Sequence, residues 1–249
     1  MFSAEERDRL RTRLLAAARD DGRIAAGALT GSASVGREDR WSDVDLAFGL
    51  AADASLNAVL DDFTASMYRE HDAVHHMDLT ADGTVYRVFL LRNTLQVDLA
   101  FSPPSRYKAM GPTFKTVFGN RPETVDSPRP ALEHWIGWAW LYALHTRSCI
   151  RREQWWRAEY MVSGMRDTML TLACARRDLP LHQARGFDML PEHVARPLEE
   201  ALVRELRRSE LVRAFGAAMG VLLRETADVD AALHKRLEGP LRSLVASVL

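Results

Sequence analysis

Three aspartates and a glycine carry the chemistry that is legible in this chain. The segment Leu29-Thr30-Gly31-Ser32 is followed, ten residues on, by Asp43-Val44-Asp45-Leu46-Ala47-Phe48. Successive side chains of a strand point to opposite faces, so Asp43 and Asp45 share one face while Val44, Leu46 and Phe48 share the other. Two adjacent carboxylates repel, and a divalent cation between them keeps both ionised. Mg²⁺ suits such a pair because it takes oxygen ligands and retains water and substrate phosphates in its octahedron. The alternation recurs in Leu95-Gln96-Val97-Asp98-Leu99-Ala100-Phe101, where Gln96 and Asp98 share a face. If the two strands are neighbours, Asp98 completes a candidate two-ion site with Asp43 and Asp45. Gly31 and Ser32 are candidate phosphate contacts, since a strand ending in glycine followed by small residues opens backbone N–H groups at a helix start.

The elements that must position these residues follow from periodicity. Ser3 and Glu6 have the form of a capping box, and Leu10, Leu14, Leu15 and Ala18 recur at helical spacing, so residues 3–20 read as an amphipathic helix. Residues 24–30 and 44–50 are short apolar runs bounded by turn formers and read as strands; residues 55–69 read as a helix. Residues 74–79, 84–91 and 94–101 are β-rich, and the last two fit a hairpin. From residue 131 the pattern is helical, with helices expected at 131–148, 153–177, 192–206, 209–225 and 228–247. Strands therefore segregate from helices, which predicts an α+β chain: a mixed sheet with flanking helices, then a helical bundle. The expected organisation is a first domain over 1–110, a connecting segment over 111–130 rich in Pro and Gly, and a second domain over 131–249.

Bulk properties narrow the function classes. With 33 basic residues against 34 acidic ones the net charge is −1, which argues against a chain that mainly holds nucleic acid through its phosphates. Thirty of the basic residues are arginine, a bias that assigns no particular job to each. Cys149 and Cys174 lack any metal-ligand or disulfide spacing and read as buried thiols. No leader-like or membrane-spanning apolar run is present, so the expected location is the cytoplasm and no membrane partner is expected.

The pattern of glycine and serine, ten residues, then Asp-x-Asp between apolar residues resembles the signature of the nucleotidyltransferase superfamily that includes polymerase β. Its specific form here, with Asp98 inside Val97-Asp98-Leu99, is similar to the aminoglycoside and lincosamide nucleotidyltransferases and to minimal nucleotidyltransferase antitoxins. The resemblance covers residues 24–101. It implies that the first domain is a catalytic domain built on a small mixed sheet with helices on one side, and that the second binds the acceptor. It also implies that Gly31 and Ser32 contact a nucleoside triphosphate, ATP by family analogy, and that Asp43 and Asp45 bind two Mg²⁺ ions. Asp98 then binds the catalytic ion or acts as base. A small hydroxylated acceptor, and a monomer or homodimer, are the expected partners; a protein-adenylylating enzyme of the antitoxin type and a nucleotide-sensing module are the alternatives.

Other residues invite a role. Glu159 shares a helix face with Ser163 and Arg166 and is a candidate base by analogy with relatives that use a glutamate of the helical domain. Lys108 and Lys115, two of only three lysines, follow the last expected strand, where a cation could reach phosphate. His71, His75 and His76 read as surface or packing histidines, and Asp78 as an auxiliary base or polar lining. Trp135, Trp138, Trp140, Trp155, Trp156 and Tyr160 read as interhelical packing, with an aromatic acceptor wall as the alternative.

Overall fold

The first element is set by its cap. The Ser3 hydroxyl accepts the Glu6 amide while the Glu6 carboxylate accepts the Ser3 amide, starting helix α1 (Ala4–Asp20). The computed structural model describes residues 1–125 and 128–249; Asp126 and Ser127, within the expected connecting segment, lie outside the described residues. The chain divides into two compact units, Met1–Ser127 and Pro128–Leu249.

In the first unit, α1 is followed by β1 (Ile24–Thr30), a single helical turn α2 (Gly31–Ser34), β2 (Val44–Leu50), α3 (Leu56–Glu70), β3 (Ala73–Ala81), β4 (Thr84–Leu91) and β5 (Gln96–Ser102). β6 (Ala109–Met110), β7 (Phe114–Phe118) and β8 (Thr124–Val125) complete it. Six strands form one mixed sheet in the order β3-β4-β5-β2-β1-β7, in which β2 and β5 run parallel and every other pair is antiparallel. β4 and β5 make the expected hairpin. Burial follows the alternation: Val44, Leu46 and Phe48 of β2 and Val97, Leu99 and Phe101 of β5 pack with Leu10 and Leu14 of α1 and Val59, Phe63 and Met67 of α3. Phe48, Phe63 and Phe101 close the centre, with ring centroids 5.2 to 5.8 Å apart. Both long helices thus cover one face of the sheet, and the other face carries Asp45, Ala47, Asp98 and Ala100.

One part of the expected connecting segment belongs to the sheet. Residues 114–118 form β7, which pairs with β1 through Ala28↔Thr116 and Thr30↔Phe114. The Phe-Lys-Thr-Val-Phe run has strand alternation, but Gly111-Pro112 and Gly119 on either side mask it. Gly27 makes room for it, since a Cβ there would lie 2.3 Å from the Phe118 ring.

The second unit is helical: α4 (Leu132–Arg151), α5 (Trp155–Ala175), α6 (Glu192–Glu199), α7 (Arg208–Val229) and α8 (Ala231–Ala246), with two 3₁₀ turns between α5 and α6. Ile136, Ala143, Val162, Met165, Phe215 and Leu222 are among its buried residues, and both cysteines are buried free thiols. The helix expected over 192–206 stops at Glu199, because the next residues find side-chain partners from α7 instead of a helical ladder. Arg213 donates to the carbonyls of Glu200 and Leu202 at 2.6 and 2.8 Å, and Glu210 accepts the amide of Arg204 at 3.0 Å. Among the described residues no helix is long and apolar enough to cross a membrane.

Glu210 gives this clamp a pH signature. Its hydrogen bonds from Arg213 and, secondarily, from the Arg204 amide push its carboxyl from about 4.5 down to about 2. A depressed carboxyl stabilises the fold above its unfolded pKa, and that contribution is lost as pH falls through the folded one. Glu210→Gln is expected to cost about 1 kcal/mol at pH 7 after solvent screening, or a few degrees in Tm. In thermal melts the gap to the wild type should narrow between pH 4.5 and about 2; a gap that stayed constant over that interval would mean the carboxylate charge is not what holds the clamp.

Candidate active site

The sheet register brings two of the three aspartates together. In the parallel pair β2/β5, Asp45 stands opposite Asp98, flanked by Val44↔Val97 and Leu46↔Leu99, whose side chains point into the core. Asp43 immediately precedes β2, and its carboxylate reaches the same point from the loop. One oxygen of each of Asp43, Asp45 and Asp98 lies within 4.8 Å of the others, and all three side chains are half-buried. Among the described residues no other group of three or more His, Cys, Asp or Glu side chains converges in this way.

Burial pushes the Asp98 carboxyl above its ordinary range; the hydrogen bond from Gln96 opposes that rise and the Asp43 charge adds to it. Gln96 Nε2 donates to both Asp98 oxygens, at 3.0 and 3.1 Å, which orients the carboxylate. Three converging, half-buried carboxylates supply oxygen donors alone. That donor set fits a hard divalent cation, which would favour the ionised form of Asp98 against both its burial and the Asp43 charge.

Gly31 is tied to this cluster by sterics. It has φ +58°, and a Cβ there would lie 2.0 Å from Asp45 Oδ2. The glycine is therefore required twice, by the left-handed backbone and by the carboxylate against it. Ser32 follows in α2, where its carbonyl accepts the Val35 and Arg37 amides at 3.3 and 3.0 Å. The Ser34 hydroxyl donates to the Gly31 carbonyl at 2.8 Å.

Beside the carboxylates lies a cavity of about 320 Å³, lined among others by Asp45, Asp98, Ala47, Ala100, Tyr107 and Phe114. Its floor follows from the register. One step along the same face from the Asp45/Asp98 row comes the Ala47/Ala100 row, and one further step brings Gly49/Ser102. Small side chains on two successive rows leave a hollow. The Tyr107 ring lies against Gly49, where a Cβ would meet it at 2.7 Å, and makes an edge contact with Phe114 at 5.8 Å. Burial pushes the Tyr107 phenol up to about 12.

The remaining candidates separate cleanly. Lys108 lines the cavity, whereas Lys115 pairs in register with Leu29 and so lies on the helix-covered face. Asp78 is on that face too; it makes a two-pronged ion pair with Arg87, 2.7 Å to each oxygen, and is no auxiliary base. His76 Nδ1 is 3.0 Å from the Tyr68 hydroxyl, a packing role. Glu159 lies on α5 of the second unit, half-buried, and accepts the Ser163 hydroxyl at 2.6 Å. Trp156 and Tyr160, one turn apart on α5, are exposed, so core packing does not account for them.

Sequence reasoning missed Arg7. It is 4% exposed and donates through Nη1 to the carbonyl of Asp39 at 2.6 Å. The signal was available, because Arg7 lies three and seven residues before Leu10 and Leu14, on the buried stripe of α1.

Neither a known protein family nor a curated protein matches the sequence. Among solved structures, the crystal structure of an aminoglycoside 6-adenyltransferase from Bacillus subtilis is similar, with a TM-score of 0.40 and 11% identity over 96% of this chain and 98% of that chain.

Proposed function

We propose that the chain is a Mg²⁺-dependent nucleotidyltransferase that moves AMP from ATP to a hydroxyl of a small molecule such as an aminoglycoside or lincosamide. The observation that carries this reading is the meeting of Asp43, Asp45 and Asp98 beside Gly31, in the motif whose resemblance points to this chemistry. Asp43, Asp45 and Asp98 would together hold the divalent ions. Bound there, Mg²⁺ neutralises the triphosphate and lowers the pKa of the attacking hydroxyl. The turn at Gly31 and Ser32 would take the phosphate oxygens on backbone amides, and Lys108 would add a positive charge at the cavity. In the reaction the acceptor oxygen bonds to the α-phosphorus, the bond from that phosphorus to the leaving pyrophosphate breaks, and the hydroxyl proton passes to a carboxylate, Asp98.

The test is direct transfer. The protein, Mg²⁺, each of the four nucleoside triphosphates labelled at the α-phosphate, and a panel of hydroxylated antibiotics should give a product heavier by one nucleotide, and none with EDTA. Label on a protein instead would replace the small acceptor with a macromolecular one. Failure to release pyrophosphate with every donor and acceptor would remove the enzymatic reading.

A further inference from the structure

The sheet fixes Asp45 and Asp98 by their register, but Asp43 stands outside the ladder, at the end of the loop that runs from residue 36 to β2. Something other than strand pairing must hold that loop, and the side chain placed to do so is Arg7. Its Nη1 donates to the carbonyls of Asp39 at 2.6 Å and Ser42 at 3.5 Å, and Ser42 is the residue next to Asp43. Its Nε is 3.3 Å from Glu38 and 3.1 Å from Asp8. Arg11 joins the same two carboxylates, Asp8 at 2.9 Å and Glu38 at 2.5 Å, so α1 grips both the side chain and the backbone of the loop. The loop also locks internally, with Asp39 Oδ1 accepting the Trp41 amide at 2.8 Å and the Ser42 hydroxyl accepting the Asp39 amide at 2.9 Å.

A guanidinium buried to this degree is costly unless it is paired and hydrogen-bonded, and here its partners other than Asp8 all belong to the loop. The planar fork presents donors from separate nitrogens in a fixed geometry to two carbonyls and a carboxylate, whereas a lysine ammonium offers its donors from a single point. We propose that Arg7 is a positioning residue for Asp43, and through it sets the divalent-ion affinity of the carboxylate cluster. This rests on the reading that the cluster holds divalent ions. Arg7 touches no reacting group, so its effect must pass through the ligand it places, as partners outside the coordination sphere do when they tune a metal site.

The experiment is a Mn²⁺ titration of the full chain, followed by the loss of free-ion signal in electron paramagnetic resonance, without nucleotide. Arg7→Gln is expected to weaken binding by about 10- to 100-fold. Arg7→Lys keeps the charge and should fold, yet weaken binding by an intermediate amount, which covers the case that Arg7→Gln does not fold. Leu14→Ala, a cavity in the same helix away from the loop, should lower Tm and leave Mn²⁺ affinity unchanged below its melting range. Arg7→Lys with wild-type affinity overturns the proposal, as does Leu14→Ala weakening Mn²⁺ as much as the arginine variants, since loosening of the fold would then explain both. A wild-type chain that binds no Mn²⁺ overturns the ion-holding reading and the proposal together.

Discussion

Asp45→Asn is expected to reduce nucleotidyl transfer on the order of a thousandfold while leaving the fold unchanged. The substitution preserves size and the capacity to accept a hydrogen bond, so the residue opposite Asp98 keeps its place and the β2/β5 ladder, with Leu46 and Phe48 behind it, has no reason to shift. What disappears is one of three negative charges that meet within 4.8 Å. Affinity for a doubly charged ion depends steeply on how many anionic oxygens face it, so the loss falls on the ion and on whatever phosphate it carries. Two measurements separate this from damage to the fold. Circular dichroism and Tm should match the wild type, and raising Mn²⁺ well above the working Mg²⁺ concentration should restore part of the rate. A variant that keeps more than about a tenth of wild-type transfer would show that Asp45 does not hold the ion on which the reaction depends.

The difference between what could and could not be read in advance follows from the range of each interaction. Strand alternation is local, so the outward set of Asp45 and the inward set of Val44, Leu46 and Phe48 were legible from adjacent residues, whereas Asp43 lies one residue before the strand and converges on Asp45 from the loop. That Asp98 would stand beside Asp45 was not legible, because β3 and β4 intervene in sequence and were free to separate the two strands. They instead take the edge of the sheet, and the parallel β2/β5 pair forms inside them. β7 was hidden for a related reason: its partner β1 lies more than eighty residues away, and the glycines around it mark turns more loudly than five residues mark a strand. The stop after Glu199 depends on Arg213 and Glu210 of another helix, which no propensity at residues 200–206 encodes. The cavity floor is a two-dimensional pattern, Ala47 beside Ala100 and Gly49 beside Ser102, and becomes a hollow only once the register is known. Arg7 is the exception. A charge on an apolar helical stripe is visible in sequence, and it points to a buried partner without naming it.

Gly31→Ala is expected to be nearly as damaging to activity as loss of a carboxylate, for a reason the motif alone does not give. The motif makes the glycine a clearing for phosphate; the structure adds that its missing side chain is the space in which Asp45 lies. Holding alanine at φ +58° costs about 1–2 kcal/mol, a loss of a few degrees in Tm. The new methyl would also fall 2.0 Å from Asp45 Oδ2, so either the carboxylate or the turn must move by an ångström or more. Displacement on that scale at a reacting centre lowers rates by about a hundredfold. Gly36→Ala supplies the matched comparison: φ is +66° at the other end of the same turn, but nothing lies within 4 Å of the added Cβ. Both variants should lose similar stability, and only Gly31→Ala should lose Mn²⁺ affinity and transfer. Equal loss of transfer in the two would place the requirement in the backbone conformation of the 31–36 turn, and would leave no role for the contact between the glycine and Asp45.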